Sequence, residues 1–207
     1  MESTCLMLMT SLYTAVDLEY VIDPADLAEG GIENDSHITI LYTPGRPFEH
    51  GETLGKVKDY LGVPGWSKLE ELFQDRSLRP VLDDFGLDLF ECPDYDVLVL
   101  RLRESAPMIR ELRELNSRFL GEPGIEDGEY DYNPHLTLAY LKPGAGEKYL
   151  ISDTLGQVLA DSRVTYDDLM YSRGTKGDYR QWYLTQYNCI ERHLRLERMM
   201  KMRQAEA

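Results

Sequence analysis

An α+β chain with two similar halves is what this sequence predicts, and three observations carry the prediction. The stretch SHITILY at residues 36–42 returns as PHLTLAY at residues 134–140, each written His-apolar-Thr-apolar-x-Tyr, in a chain with only 4 histidines. Runs with the two-residue period of strands are separated by segments with the helical period, the clearest of them at residues 105–120. No low-complexity stretch and no long Pro/Gly/Ser linker cuts the chain, so ordinary connections must join the halves.

The elements follow in order. CLMLMTSL at 5–12 reads as a buried first strand. The first Lys or Arg is Arg46, so that run lacks the positive flank of a signal peptide, and it is too short to span a bilayer. SHITILY is the next strand, bounded by the turn-rich ENDS and TPGRP. ETLGKVKDYL and SKLEELF are two short helices separated by GVPGW. FGLDLFE at 85–91 and DVLVLRLR at 96–103 form a hairpin across CPDY, with Phe85, Leu87 and Leu89 on one face. Residues 105–120 form a helix with Ser105 as N-cap, Pro107 in the first turn and Gly121 just past its end. Met108, Leu112, Leu115 and Phe119 make its core stripe.

PHLTLAYL follows as a strand that Pro134 is permitted to open. A helix at 151–161, a strand at 164–171, the loop SRGTKGD at 172–178 and a strand YRQWYLTQ complete the body. The tail ERHLRLERMMKMRQ reads as a basic helix over 190–205 that packs on the acidic body, with phosphate or partner contact as the alternative. His193 in that tail and His50 in PFEHGET are taken as surface residues.

Composition narrows the function. A chain of 207 residues with 43% hydrophobic residues can bury a sizeable core. With 37 acidic against 22 basic residues its net charge of -15 repels long polyanions, which argues against duplex nucleic acid as a partner. Nothing in the sequence calls for a membrane, and the sequence does not identify a protein partner. Three cysteines, Cys5, Cys92 and Cys189, have no Cys-x-x-Cys spacing. Neither a disulfide framework nor a zinc site is expected, and a reducing cytoplasm fits, that of a host if the protein is viral.

Alternate side chains of a strand share a face, so His37 and Thr39 point one way, about 6.6 Å apart along the backbone. His135 and Thr137 repeat this arrangement. By the same alternation Tyr42 and Tyr140 should face away. If the two halves meet about a pseudo-two-fold axis, two imidazoles flank one ligand. One can take a proton from an attacking hydroxyl or water while the other protonates the leaving oxygen of a phosphodiester. The threonine hydroxyls can donate to non-bridging phosphate oxygens. This chemistry needs no metal and no cofactor. A lone His-x-Thr usually means a satisfied histidine at a sheet edge, but two copies in one frame favour a shared site. Zinc binding would need a third ligand at characteristic spacing, and none is present.

The paired motifs resemble those of the 2H phosphoesterase superfamily, which includes 2′,3′-cyclic phosphodiesterases and RNA ligase-like proteins. The resemblance implies a bilobal fold with two antiparallel sheets around a central cleft and helices packed outside. One motif lobe falls around residues 30–80 and the other around 105–165. His37, Thr39, His135 and Thr137 are implied as catalytic, with metal-independent action on 2′,3′-cyclic, 2′-5′ or 3′-5′ phosphodiester links. HITILYTPG, DVLVLRL and YDYNPHLTLAYLKPG look most similar to a phage branch that includes anti-CBASS enzymes, which cleave cyclic di- and trinucleotide immune signals. The expected substrate is therefore a small cyclic nucleotide or a cyclic or short oligonucleotide. RNA-end processing and non-catalytic nucleotide binding are the alternatives. Residues 49–80 exceed what compact members carry, and are expected to cap the cleft or serve a partner.

A nucleotide needs an aromatic face and a cation. Tyr13 and Trp182 are the stacking candidates, with Trp66 behind them. Arg173 and Lys176 in SRGTKGD are candidates to clamp a phosphate as a flap, an ordinary hairpin loop being the plainer reading.

Overall fold

A computed structural model of the chain describes residues 3–44, 48–75, 77–125, 131–175 and 178–185, without the side chains of Pro44 and Tyr179. In chain order the elements are β1 (Ser3–Tyr13), β2 (Leu27–Ile32), β3 (His37–Pro44), α1 (His50–Gln74), β4 (Arg79–Pro80), α2 (Val81–Asp84) and β5 (Phe85–Glu91). They continue with β6 (Asp96–Leu102), α3 (Ile109–Leu120), β7 (His135–Leu141), α4 (Glu147–Leu150), α5 (Asp153–Asp161), β8 (Arg163–Thr175) and β9 (Asp178–Tyr183). Two short 3-10 turns, Leu18–Tyr20 and Pro24–Asp26, lead into β2.

The expected pair of separate sheets is corrected to one. Nine strands join in the order β4-β8-β1-β3-β7-β6-β5, with β2 on β7 and β9 on β8, and every recorded pairing is antiparallel. The halves β8-β1-β3 and β5-β6-β7 meet at a single register pair, Ile38 with Leu136. Past that point β2 pairs along β7, Ile32 with Ala139 and Leu27 with Leu141. β3 stays paired with β1, but on its β7 side two carbonyls are taken by side chains. The Tyr132 hydroxyl donates to Thr39 O at 3.1 Å and Asn116 Nδ2 donates to Ile40 O at 2.7 Å. Buried carbonyls demand such partners, and these side chains let the halves diverge without orphaned backbone.

One apolar core underlies both halves. Leu6, Leu8, Ile38 and Ile40 from one half join Leu98, Leu100, Leu136 and Leu138 from the other, and Leu112, Leu115 and Phe119 of α3 cover them. Each such side chain contributes about 1.5–3 kcal/mol by leaving water, so burial decides which face of each strand points inward. The α3 stripe matches the sequence reading, but the helix begins at Ile109; Ser105 and Pro107 lie in the turn before it, and Ser105 is not the cap. The two expected helices after residue 50 are the two arms of α1, bent at Gly62 (φ 62) ahead of Pro64. α1 does not cap the motif strands. It packs on the core side, tied to α3 by Lys68–Glu111 at 2.7 Å and to the turn after α3 by Lys56–Glu122 at 2.8 Å. Much of the expected loop 172–178 is strand, since β8 runs to Thr175 and pairs with β9. The expected basic helix at 190–205 lies outside the described residues.

Candidate active site

The two motif strands are built alike, down to an irregularity that alternation alone does not predict. Against β1, Thr39 pairs with Met7 and Leu41 with Leu6, which leaves Ile40 as an extra residue. Against β6, Thr137 pairs with Val99 and Ala139 with Leu98, leaving Leu138 extra. Each motif therefore carries a β-bulge at the residue after its threonine. The backbone preceding each histidine is also matched, with Thr10 N donating to Ser36 O at 3.1 Å and Leu102 N donating to Pro134 O at 2.9 Å.

Before the bulges, Ile38 and Leu136 are fully buried while His37, Thr39, His135 and Thr137 are half-buried on the opposite face. The Ile38–Leu136 pair sets His37 across from Thr137 and Thr39 across from His135. Facing positions of this kind have Cβ atoms about 4.5–5.5 Å apart, and diagonal ones about 7–8 Å, so the two imidazoles stand on a diagonal with a hydroxyl at each remaining corner. The sheet thus brings the four expected residues onto one face.

Both rings are fixed in the same tautomer. His37 Nδ1 lies 2.6 Å from Asp35 O and His135 Nδ1 lies 2.7 Å from Asn133 O. A carbonyl can only accept, so each Nδ1 carries a proton and each Nε2 is left to face away from that carbonyl. His135 is the more enclosed, with the ring of Phe90 edge-on to it at 4.7 Å between centroids. Burial holds its pKa below the usual histidine value and the nearby charge of His37 adds to this, while the Asn133 carbonyl opposes both. A ring that resists protonation is suited to the role of base.

Sequence alternation missed the tyrosines. Each bulge turns two successive apolar residues inward, Ile40 with Leu41 and Leu138 with Ala139, and so flips the strand beyond it. Tyr42 and Tyr140 therefore return to the histidine face. The signal was visible as the break in alternation, Ile-Leu-Tyr and Leu-Ala-Tyr, after each His-x-Thr. Tyr42 is 64% exposed. Tyr140 is packed: its hydroxyl is hydrogen-bonded to Thr137, its ring meets Tyr95 at 5.9 Å, and it lies so close on Gly30 that a Cβ there would come within 2.5 Å of it. Thr39 is bonded instead to Cys5, whose thiol burial pushes up to about 11, so it stays protonated and inert.

Arg101 was also missed, since nothing in DVLVLRLR singles it out. It pairs with His135 across β6 and β7, and its Nη2 donates to Asn133 Oδ1 at 2.9 Å, on the residue whose carbonyl holds His135. In the other half the corresponding partner of His37 is Met9, 1% exposed and clustered with Met7 and Met170.

The remaining candidates fall elsewhere. Tyr13 is 6% exposed and presents no ring face. Trp182 pairs with Tyr171, whose ring is in the core; it stacks on Tyr171 at 6.1 Å and on His50 at 5.3 Å, on the sheet face opposite the histidines. Arg173 shares that opposite face and is bound to Glu49 at 2.7 Å. Trp66 is packed against the core from α1, under Lys58 at 4.7 Å. Lys176 lies outside the described residues, as does His193. Among the described residues no three His, Cys, Asp or Glu side chains gather as metal ligands, and no helix is long and apolar enough to cross a membrane.

Comparison with protein-family models gave no match, and comparison with curated proteins gave none either. Among solved structures the chain is similar to E. coli LigT, in a crystal structure complexed with 3′-AMP. That likeness has 15% sequence identity and a TM-score of 0.39, and covers 87% of this chain and 99% of that one.

Proposed function

We propose that the protein is a metal-independent phosphodiesterase that opens phosphodiester bonds of cyclic nucleotides or of cyclic and short oligonucleotides by two-histidine acid–base catalysis. The observation that supports it best is the matched pair of imidazoles, each with Nδ1 held by the carbonyl two residues earlier and so with Nε2 left for a ligand. In this reading His135, kept neutral by its surroundings, takes the proton from the attacking oxygen, and His37 delivers one to the leaving oxygen. Thr39 and Thr137 donate to the non-bridging oxygens as their charge grows. The exposed ring of Tyr42 gives a base a face to stack on, a contact that contributes about 1–3 kcal/mol. Cyclic oligonucleotide immune signals are the favoured physiological substrates, and the acidic body disfavours bulk RNA.

The test is a product assay in EDTA on 2′,3′-cyclic mononucleotides, cyclic dinucleotides, cyclic trinucleotides and short RNAs, with wild type, His37→Ala and His135→Ala. Cleavage that survives chelation and disappears in both variants is expected, and the panel names the linkage. Cleavage confined to RNA ends would assign RNA-end processing. Tight nucleotide binding without product in the wild type would make the site a binding module and overturn the enzyme reading.

A further inference from the structure

A groove of about 570 Å³ opens on the margin of β5 and β6, lined among others by Gly86, Asp88, Arg101, Arg103 and Glu104. It adjoins the histidine site, because Arg101 is the register partner of His135. Arg101 lies in β6 and Arg103 just past its end, about 7 Å farther along the backbone. Gly86 lies opposite Arg101 in β5, and a Cβ there would point at the Arg103 guanidinium 3.8 Å away, so the glycine leaves the floor between the two arginines bare.

We propose that this groove binds a second phosphate of the substrate, next to the one between the histidines, which makes a short oligonucleotide rather than a mononucleotide the preferred substrate. The inference rests on the phosphodiesterase reading and specifies its substrate. Charge favours an anion here although the protein is strongly acidic overall. Glu104 is held by both arms of Arg113, at 2.5 and 2.6 Å, which neutralises it within the groove. Asp88 is turned toward its own strand, accepting from Leu89 N at 2.9 Å, and meets Arg101 at 3.4 Å, the upper end of hydrogen-bond range. Arg103 commits Nε to Phe85 O at 2.7 Å, a bond that does not use its two terminal nitrogens. With Glu104 paired to Arg113, the two guanidinium groups that line the groove stand against the one carboxylate of Asp88, and a phosphate can replace Asp88 on Arg101 while gaining the fork of Arg103. The opposite half has no counterpart, since Met9 stands where Arg101 does. The groove therefore gives the substrate a direction, with its further phosphate on the His135 side.

The experiment measures kcat/KM for a 2′,3′-cyclic mononucleotide and for a dinucleotide with the same cyclic end and one more phosphodiester. It compares wild type with Arg103→Met, Arg103→Lys and Asp88→Asn. The dinucleotide-to-mononucleotide ratio is expected to fall about tenfold in Arg103→Met through a higher dinucleotide KM, the size of one charge-assisted hydrogen bond. Arg103→Lys should restore part of that loss, and Asp88→Asn should raise the ratio. A ratio that stays at the wild-type value in Arg103→Met, with both substrates still cleaved, overturns the second-phosphate site while leaving the phosphodiesterase standing. A wild type that cleaves neither of these two substrates overturns this inference, and one that cleaves nothing in the panel above overturns that reading as well.

Discussion

The strands β3 and β7 present the same His-x-Thr pattern on unlike supports. Both carry His-x-Thr, both hold Nδ1 on the carbonyl two residues back, and both bulge after the threonine. Around β7 the site is braced: Phe90 closes on His135, Tyr140 holds Thr137, and the carbonyl of Leu138 is taken by the backbone N–H of Glu33 at 3.0 Å. Around β3 it is open: Tyr42 is exposed, and side chains reach the carbonyls of Thr39 and Ile40. A pair of equal motifs becomes an acid and a base when their surroundings differ, because burial lowers the proton affinity of one ring. In the proposed mechanism the braced half supplies the base, and the open half the acid and the room for a nucleobase.

The largest effect should come from removing either ring. His37→Ala and His135→Ala are each expected to lower kcat by about 10²–10⁴-fold in steady-state assays. Groups that act as one unit are not additive, so the double variant should be little worse than either single one. Additive losses would mean that the two strands work independently. Next, Tyr140→Phe removes the brace from Thr137 and should lower kcat about tenfold with KM nearly unchanged, since it acts on a donor used in the transition state. On the open side Tyr42→Ala should raise KM instead, about tenfold or more from lost stacking.

Phe90→Ala sharpens the comparison through pH. Because burial lowers the His135 pKa, the base stays neutral to below the usual histidine range, and the acidic limb of the rate profile should lie there. Admitting water beside the ring favours its charged form, so the limb should move to higher pH in Phe90→Ala. A limb that stays in place would mean that His135 is not the base. The smallest effect is structural. Asn116→Ala strands the Ile40 carbonyl at the edge of β3 and should cost about 1–3 kcal/mol in denaturant unfolding.

Much of this arrangement was legible in the residues. The two motif strands, the 85–91 and 96–103 hairpin and the apolar stripe of α3 follow from periodicity, because burial enforces the alternation that makes it readable. The bulges were less so, since one extra residue reverses parity and only the paired apolar residues after each threonine mark it. Trp182 and Arg173 lie off the histidine face for a related reason. Register with β8 places them on the core face, and register is a long-range property that a local reading does not contain. Arg101 acquires its meaning only from pairing with His135. Joining of the halves into one sheet depends on the single Ile38–Leu136 contact, which no local pattern announces.

The central claim is that two imidazoles from unlike surroundings work as one acid–base pair. It is tested most directly by the pH dependence of kcat/KM in the wild type, measured in EDTA on whichever substrate of the panel is cleaved. A bell-shaped profile is predicted, with its acidic limb below the usual histidine range. A single rising limb with no second ionisation would contradict the pair and leave only one histidine at work.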